Sequence, residues 1–184
     1  MTNSSRPVSR LAGASESSGD ALLSELYARI RAQRGRILNI HQVVGHAPKL
    51  LRAQAAYAAA MREDSSLPRD LQELLILRIA QVNDSAYEQS VHRPIAVRVG
   101  VAPAKIDALA SWRDSPLFDA RERAALGYVE PTARTGDVDD ATFAATQQVF
   151  SPQEIVELTG LVAWYVGNSR FVRALRVAEE MEEK

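Results

Sequence analysis

From Asp20 to the C-terminus the apolar residues of this chain recur every three to four positions, and no stretch of useful length alternates apolar with polar residues between turn signals. That pattern predicts an all-α chain without a sheet. Leu22, Leu23, Leu26, Tyr27 and Ile30 form the first stripe, with Glu25, Arg29 and Gln33 off it. Pro48, Pro68, Pro103 and Pro152 mark helix starts, where a first-turn proline loses no hydrogen bond because its missing N–H would be unpaired there. Ser151-Pro152-Gln153-Glu154 adds an N-cap and a Glu placed to close a capping box. The expected helices run over 20–34, 36–45, 48–63, 68–82, 85–99, 103–112, 119–134, 138–149, 152–166 and 169–182, with a break at Gly167-Asn168. Sliding the chain by 84 positions lays Pro68, Glu73, Leu74, Leu77 and Ser85 on Pro152, Glu157, Leu158, Leu161 and Ser169, so an internal helical-hairpin duplication is a further expectation.

A length of 184 residues fits one domain, here 20–184, and 46% hydrophobic residues supply a core. Residues 1–19 carry six Ser and two Gly without an apolar run and read as a disordered tail lacking a signal peptide. With no 18-residue apolar window either, a cytoplasmic protein with no membrane partner is expected. A net charge of −1 gives no electrostatic argument for nucleic acid. The chain has no cysteine, which excludes disulfides, thiol nucleophiles, thiolate metal sites and dithiol redox chemistry.

Four residues stand out as chemistry. Glu73 lies on a helix so apolar that it should be buried nearly all round, sharing a face with Ile76, Leu77 and Ala80. Either the carboxyl is desolvated and its pKa raised, or it stays wet in the first turn against the helix dipole. Ser85, Glu88 and His92 follow at i, i+3 and i+7 on one helix face. Glu88 and His92 are spaced to hydrogen-bond, which would orient and charge an acid–base imidazole. Equally, Ser85-x-x-Glu88 is a capping box and Glu88 with His92 an ordinary surface pair. Pro94 should kink that helix beside His92. His41 and His46 are five apart, off a common face, so no protein-built metal site is expected. Arginine makes up 19 of the 22 basic residues, and Arg78, Arg93, Arg98 and Arg170 are candidate carboxylate binders.

Leu67-Pro68-Arg69-Asp70-Leu71-Gln72-Glu73-Leu74-Leu75-Ile76-Leu77-Arg78, Tyr87-Glu88-x-x-x-His92 with Gly100, Asp119 to Leu126, and Glu157-Leu158-Thr159 to Asn168-Ser169-Arg170-Phe171 together resemble the carboxymuconolactone decarboxylase family, within the alkyl hydroperoxidase D-like superfamily. With the looser Ile37-Leu38-Asn39 and Ala47-Pro48-Lys49-Leu50-Leu51 region, the likeness covers most of residues 36–178. It implies an alkyl hydroperoxidase D-like helical bundle and a homo-oligomer, trimer or hexamer. In the superfamily's thiol branch a Glu, a C-x-x-C pair and a His form a proton relay. Glu73 and His92 fall on the Glu and His, while Ser85 and Glu88 fall on the cysteines, so a thiol peroxidase is not expected. The decarboxylase branch implies a cofactor-free acid–base lyase or isomerase acting on a small carboxylated, lactone-type substrate, as in aromatic catabolism. On that reading His92 is the acid or base, Glu88 its orienting partner, Glu73 a relay carboxyl and Tyr87 a donor to a substrate oxygen. Arg78 and Ser85 would bind substrate. Two other readings are a ligand-binding or scaffolding oligomer without catalysis, and a metal-assisted enzyme completed by another subunit.

Overall fold

The computed structural model describes residues 9–180, and over them every regular element is helical. The α-helices are α1 (Ala21–Arg34), α2 (Asn39–Val44), α3 (Pro48–Arg62), α4 (Arg69–Val82), α5 (Ala86–Arg98), α6 (Pro103–Ala108), α7 (Ala120–Thr135), α8 (Asp140–Gln147) and α9 (Pro152–Ala174). Local chemistry sets most of their ends. Ser151 Oγ accepts from Glu154 N at 3.2 Å while Glu154 Oε2 accepts from Ser151 N at 2.8 Å, the reciprocal box expected at the start of α9. Gly35 ends α1 at φ 77°, a conformation that a side chain would strain. No helix among the described residues is long and apolar enough to cross a membrane.

Two apolar clusters hold the chain together. One joins α4, α7 and α9 through Leu74, Leu75, Ile76, Ile79, Leu126, Val129, Leu158 and Leu161. The other joins α1, α2 and α3 through Leu23, Leu26, Tyr27, Ile30, Val43 and Leu51. Every residue of α4 from Leu71 to Ala80 is buried, as its run of Leu and Ile predicts. Helix α5 lies between the clusters, giving Ala96 to the first and Tyr87 to the second. The site is built where it does so.

The C-terminal helices depart from expectation. No break occurs at Gly167-Asn168: α9 runs on to Ala174, because Tyr165, Ser169 and Val172 continue its buried face. Packing here overrides the weak helix propensity of Gly and Asn. The 84-residue offset therefore matches α4 to the first part of α9 but not the hairpin. After α4 the chain turns at Asn83 and Asp84, the latter at φ 52°, while the equivalent positions in α9 stay helical. Of the expected 169–182 helix, the part beyond Ala174 is not helical as far as residue 180, and residues 181–182 lie outside the described residues. Residues 9–19 of the expected tail are tied down: Arg10 N donates to Leu175 O at 2.9 Å, and Ala14 N to Gln42 O at 2.9 Å. Residues 1–8 lie outside the described residues.

Arg78 proves to be structural. Its Nη2 lies 2.9 Å from Glu130 Oε2, which also accepts from Trp112 Nε1 and Arg113 Nη1, each at 2.9 Å. Burial would raise the Glu130 pKa, but Trp112, Arg78 and Arg113 outweigh it and hold it at about 2. A depressed carboxylate stabilises the fold above its unfolded value of 4.5, and that stability is lost as pH falls toward 2. Glu130→Gln is expected to cost about 2–4 kcal/mol in urea unfolding near neutral pH, with the difference from wild type shrinking below about pH 4.

Candidate active site

Helix α4 packs along α5, and this brings the buried Glu73 against the buried His92. Nδ1 of His92 lies 2.6 Å from Glu73 Oε2, and Nε2 lies 3.4 Å from Glu88 Oε2. The imidazole is thus held between two carboxylates. Asn168, on the uninterrupted α9, donates Nδ2 to Glu88 Oε1 at 2.7 Å. Arg69, one turn before Glu73, sets Nη2 2.5 Å from Glu73 Oε1. The rings of Tyr165 and His92 stand perpendicular to each other, with centroids 5.1 Å apart.

Burial alone would strip the charge from these groups, yet the partners outweigh it. For His92, burial lowers the pKa, but hydrogen bonding and charge from Glu73, then Glu88, raise it above the ordinary imidazole value. For Glu73, burial raises the pKa, while His92, Arg69 and Arg62 pull it below the ordinary carboxylate value. The resulting state is an imidazolium–carboxylate pair. Glu73 is therefore neither the raised, desolvated acid nor the wet first-turn carboxylate of the sequence reading: it is wholly buried and ionised. It is also the closer orienting partner of His92, a position the spacing assigned to Glu88. Glu88 closes no capping box, since Ser85 makes no side-chain cap bond to α5.

His92 and Glu88 open onto a cleft of about 1150 Å³ between α1, α2, α3, α5 and α9. Seven arginines line it against three glutamates, so its field favours an anion. Arg34, Arg62 and Arg69 crowd toward Glu73 and Tyr165. Burial, with Arg62 opposing, raises the Tyr165 phenol above its ordinary value and keeps it protonated.

The other sequence-chosen residues fall elsewhere. Tyr87 lines the cleft, but its hydroxyl donates to Glu180 Oε1 at 2.6 Å and accepts from Ile40 N at 3.2 Å. Ser85 is wholly buried away from the cleft lining, and its hydroxyl has no partner among the described residues. Arg78 serves Glu130, Arg93 pairs with Asp107 at 2.6 Å on the surface, and Arg170 is exposed. Arg98 alone of the candidate arginines lines the cleft. Pro94 lies within α5 on the cleft wall. Sequence reasoning missed Arg34, Arg62, Arg69, His41, Tyr165 and Asn168. The expected break at Gly167-Asn168 hid Asn168; for Arg69 the i,i+4 spacing to Glu73 was a usable signal. No group of three or more His, Asp or Glu among the described residues is arranged to hold a metal ion.

Residues 48–131 match the model of the carboxymuconolactone decarboxylase family. The Escherichia coli K12 protein YnjA is 34% identical over 118 residues, which span 63% of this chain and 64% of YnjA, short of two thirds of that relative. Among solved structures, an alkylhydroperoxidase AhpD core, a peroxidase-related protein from Ralstonia eutropha JMP134, superposes with a TM-score of 0.84 at 18% identity, covering 96% of this chain and 94% of that one. The debrominase Bmp8 without ligand gives a TM-score of 0.79 at 19% identity over 94% and 91% of the two chains. At these identities the structures establish a shared alkyl hydroperoxidase D-like helical fold.

Proposed function

We propose that this cysteine-free chain, whose residues 48–131 match the carboxymuconolactone decarboxylase family model, is a cofactor-independent acid–base lyase or isomerase acting on a small carboxylated, lactone-type substrate. The observation that carries the reading is the charged His92, held 2.6 Å from Glu73 and 3.4 Å from Glu88 beside an arginine-lined cleft. Loss of CO2 leaves the electron pair of the broken C–C bond on the substrate as an enolate. A donor at the enolate oxygen and a proton for the carbon complete the step. His92 supplies the proton, and Glu88, on the cleft side, returns one from solvent. Tyr165 donates to the enolate oxygen in place of Tyr87, whose hydroxyl is committed to Glu180.

Self-association belongs to this reading. Val156 on α9 is 71% exposed, and Phe143, Phe150 and Ile155 line an apolar recess beside it. A second reading, ligand binding without catalysis, draws on His92 having both ring nitrogens engaged.

The test is a panel of carboxylated lactones followed for CO2 release, with the reaction run in D2O. Turnover with one solvent deuteron fixed at the former carboxylate carbon is expected; saturable binding without CO2 release or deuterium uptake favours the second reading. Because peroxide reduction through a thiol requires a thiolate and the chain has no cysteine, dithiol-driven consumption of an alkyl hydroperoxide should stay at the buffer rate.

A further inference from the structure

Arg34 ends α1, Arg62 ends α3 and His41 lies on the short α2 between them, and all three line the cleft. A basic residue at a helix C-terminus is ordinary, since the free carbonyls there favour a cation. Arg31, on the same last turn of α1, shows the ordinary form: it is half exposed and paired with Glu16. Arg34 is different. It is part-buried, and burial first, then the charges of Arg62 and Arg69, disfavour its own charge. Glu73, which pairs with His92 and Arg69, acts in the opposite sense without reversing the shift. Among the described residues, neither Arg34 nor Arg62 reaches a carboxylate within ion-pair distance.

His41 adds a third donor. Leu38 N–H donates to its Nδ1 at 3.3 Å, which leaves the ring proton on Nε2. Burial, then Arg34 and Arg62, push its pKa down to about 4, so the ring is an uncharged donor near neutral pH. No acceptor among the described residues takes that N–H. Like charges gathered in a part-buried wall cost stability, and proteins retain such arrangements where function uses them.

We propose that Arg34, Arg62 and the Nε2–H of His41 form an anion subsite that takes a carboxylate of the substrate. Two guanidinium groups and one ring N–H match the two oxygens of a carboxylate. Leu26, Ile30 and Leu51 on the same cleft favour an organic body over a bare inorganic ion. Arg34 and His41 precede residue 48 while Arg62 lies within the family-matched segment, so two of the three donors come from the N-terminal helices outside it and set specificity particular to them. The link to a substrate rests on the acid–base reading above, whereas the binding itself is independent of turnover.

The test titrates the full chain with benzoate, succinate and inorganic phosphate, reading calorimetric Kd, thermal midpoint and the His41 imidazole proton signals. Benzoate or succinate should bind saturably, shift the His41 signals and raise the melting temperature. Arg34→Gln and Arg62→Gln should each weaken that binding at least ~10-fold, with Arg34→Lys recovering part of it. In the absence of the anion, Arg34→Gln should melt no lower than wild type, because it relieves repulsion. A structural Arg34 would give the reverse: a lower melting temperature with the carboxylate response intact. That result overturns the proposal, as does absence of saturable carboxylate binding at millimolar concentration, or phosphate binding more tightly than either carboxylate. Saturable carboxylate binding without CO2 release would fail the proton-transfer reading alone, whereas absence of saturable binding fails the subsite, so the two failures give different results.

Discussion

Replacing His92 by glutamine should lower kcat ~10²–10⁴-fold on whichever carboxylated substrate is turned over, with KM little changed. Glutamine keeps a hydrogen-bonding group between Glu73 and Glu88 but has no proton to give at the imidazole's pKa. Alanine should lower kcat as much, and both variants should destabilise the fold, because each removes the cation that Glu73 and Glu88 share. An exposed Glu88–His92 pair would make the alanine variant almost neutral for stability. With His92 buried between two carboxylates, its removal leaves Glu73 and Glu88 without their shared cation. Breaking a buried pair in this way costs about 3–5 kcal/mol. Steady-state kinetics on both variants, beside urea unfolding, separate the two effects. Full activity in His92→Gln would remove His92 from proton transfer altogether.

The parts of the molecule legible in the sequence are those fixed by neighbours along the chain. The run from Leu71 to Ala80 announced a helix buried on all sides, and Ser151 with Glu154 announced its own capping box. Glu88 and His92 were legible as a helical pair, Glu73 stood out on its apolar helix, and the resemblance linked Glu73 to His92 across the helix junction. The anion-facing wall was not legible, because Arg34, Arg62 and Arg69 lie on three different helices and no periodicity connects them. In a chain with 19 arginines, composition could not select among them either. Arg78 was a poor choice on geometry alone: five residues after Glu73, it points about 140° away around α4. Tyr87 is likewise five residues before His92 on α5, and it faces the cluster of α1 to α3. The continuity of α9 depended on tertiary packing beyond Gly167, which local propensity misjudged.

Glu73→Gln should produce the larger change in pH behaviour. The glutamine keeps the shape of the side chain but removes the counter-charge that His92, Arg69 and Arg62 share. A cost of about 3–5 kcal/mol is expected where the pair is fully charged. The sign follows from each partner. Glu73 has a lowered folded pKa, so its contribution is present above the unfolded value of 4.5 and is lost as pH falls through the folded one. His92 has a raised folded pKa, so its contribution is complete below the unfolded value of 6.5 and is lost as pH rises through the folded one. Both hold together between 4.5 and 6.5, and there the gap in unfolding free energy between wild type and Glu73→Gln should be widest. Below that window a protonated Glu73 comes to resemble glutamine, and above it a neutral His92 no longer needs the carboxylate. Urea unfolding across the pH range reads the gap directly, and an NMR titration should find the His92 imidazole losing its proton at lower pH in the variant. A gap that stays constant with pH, or an unshifted His92, would mean that the two side chains share a hydrogen bond but not a charge, and the imidazolium would then be no part of the chemistry.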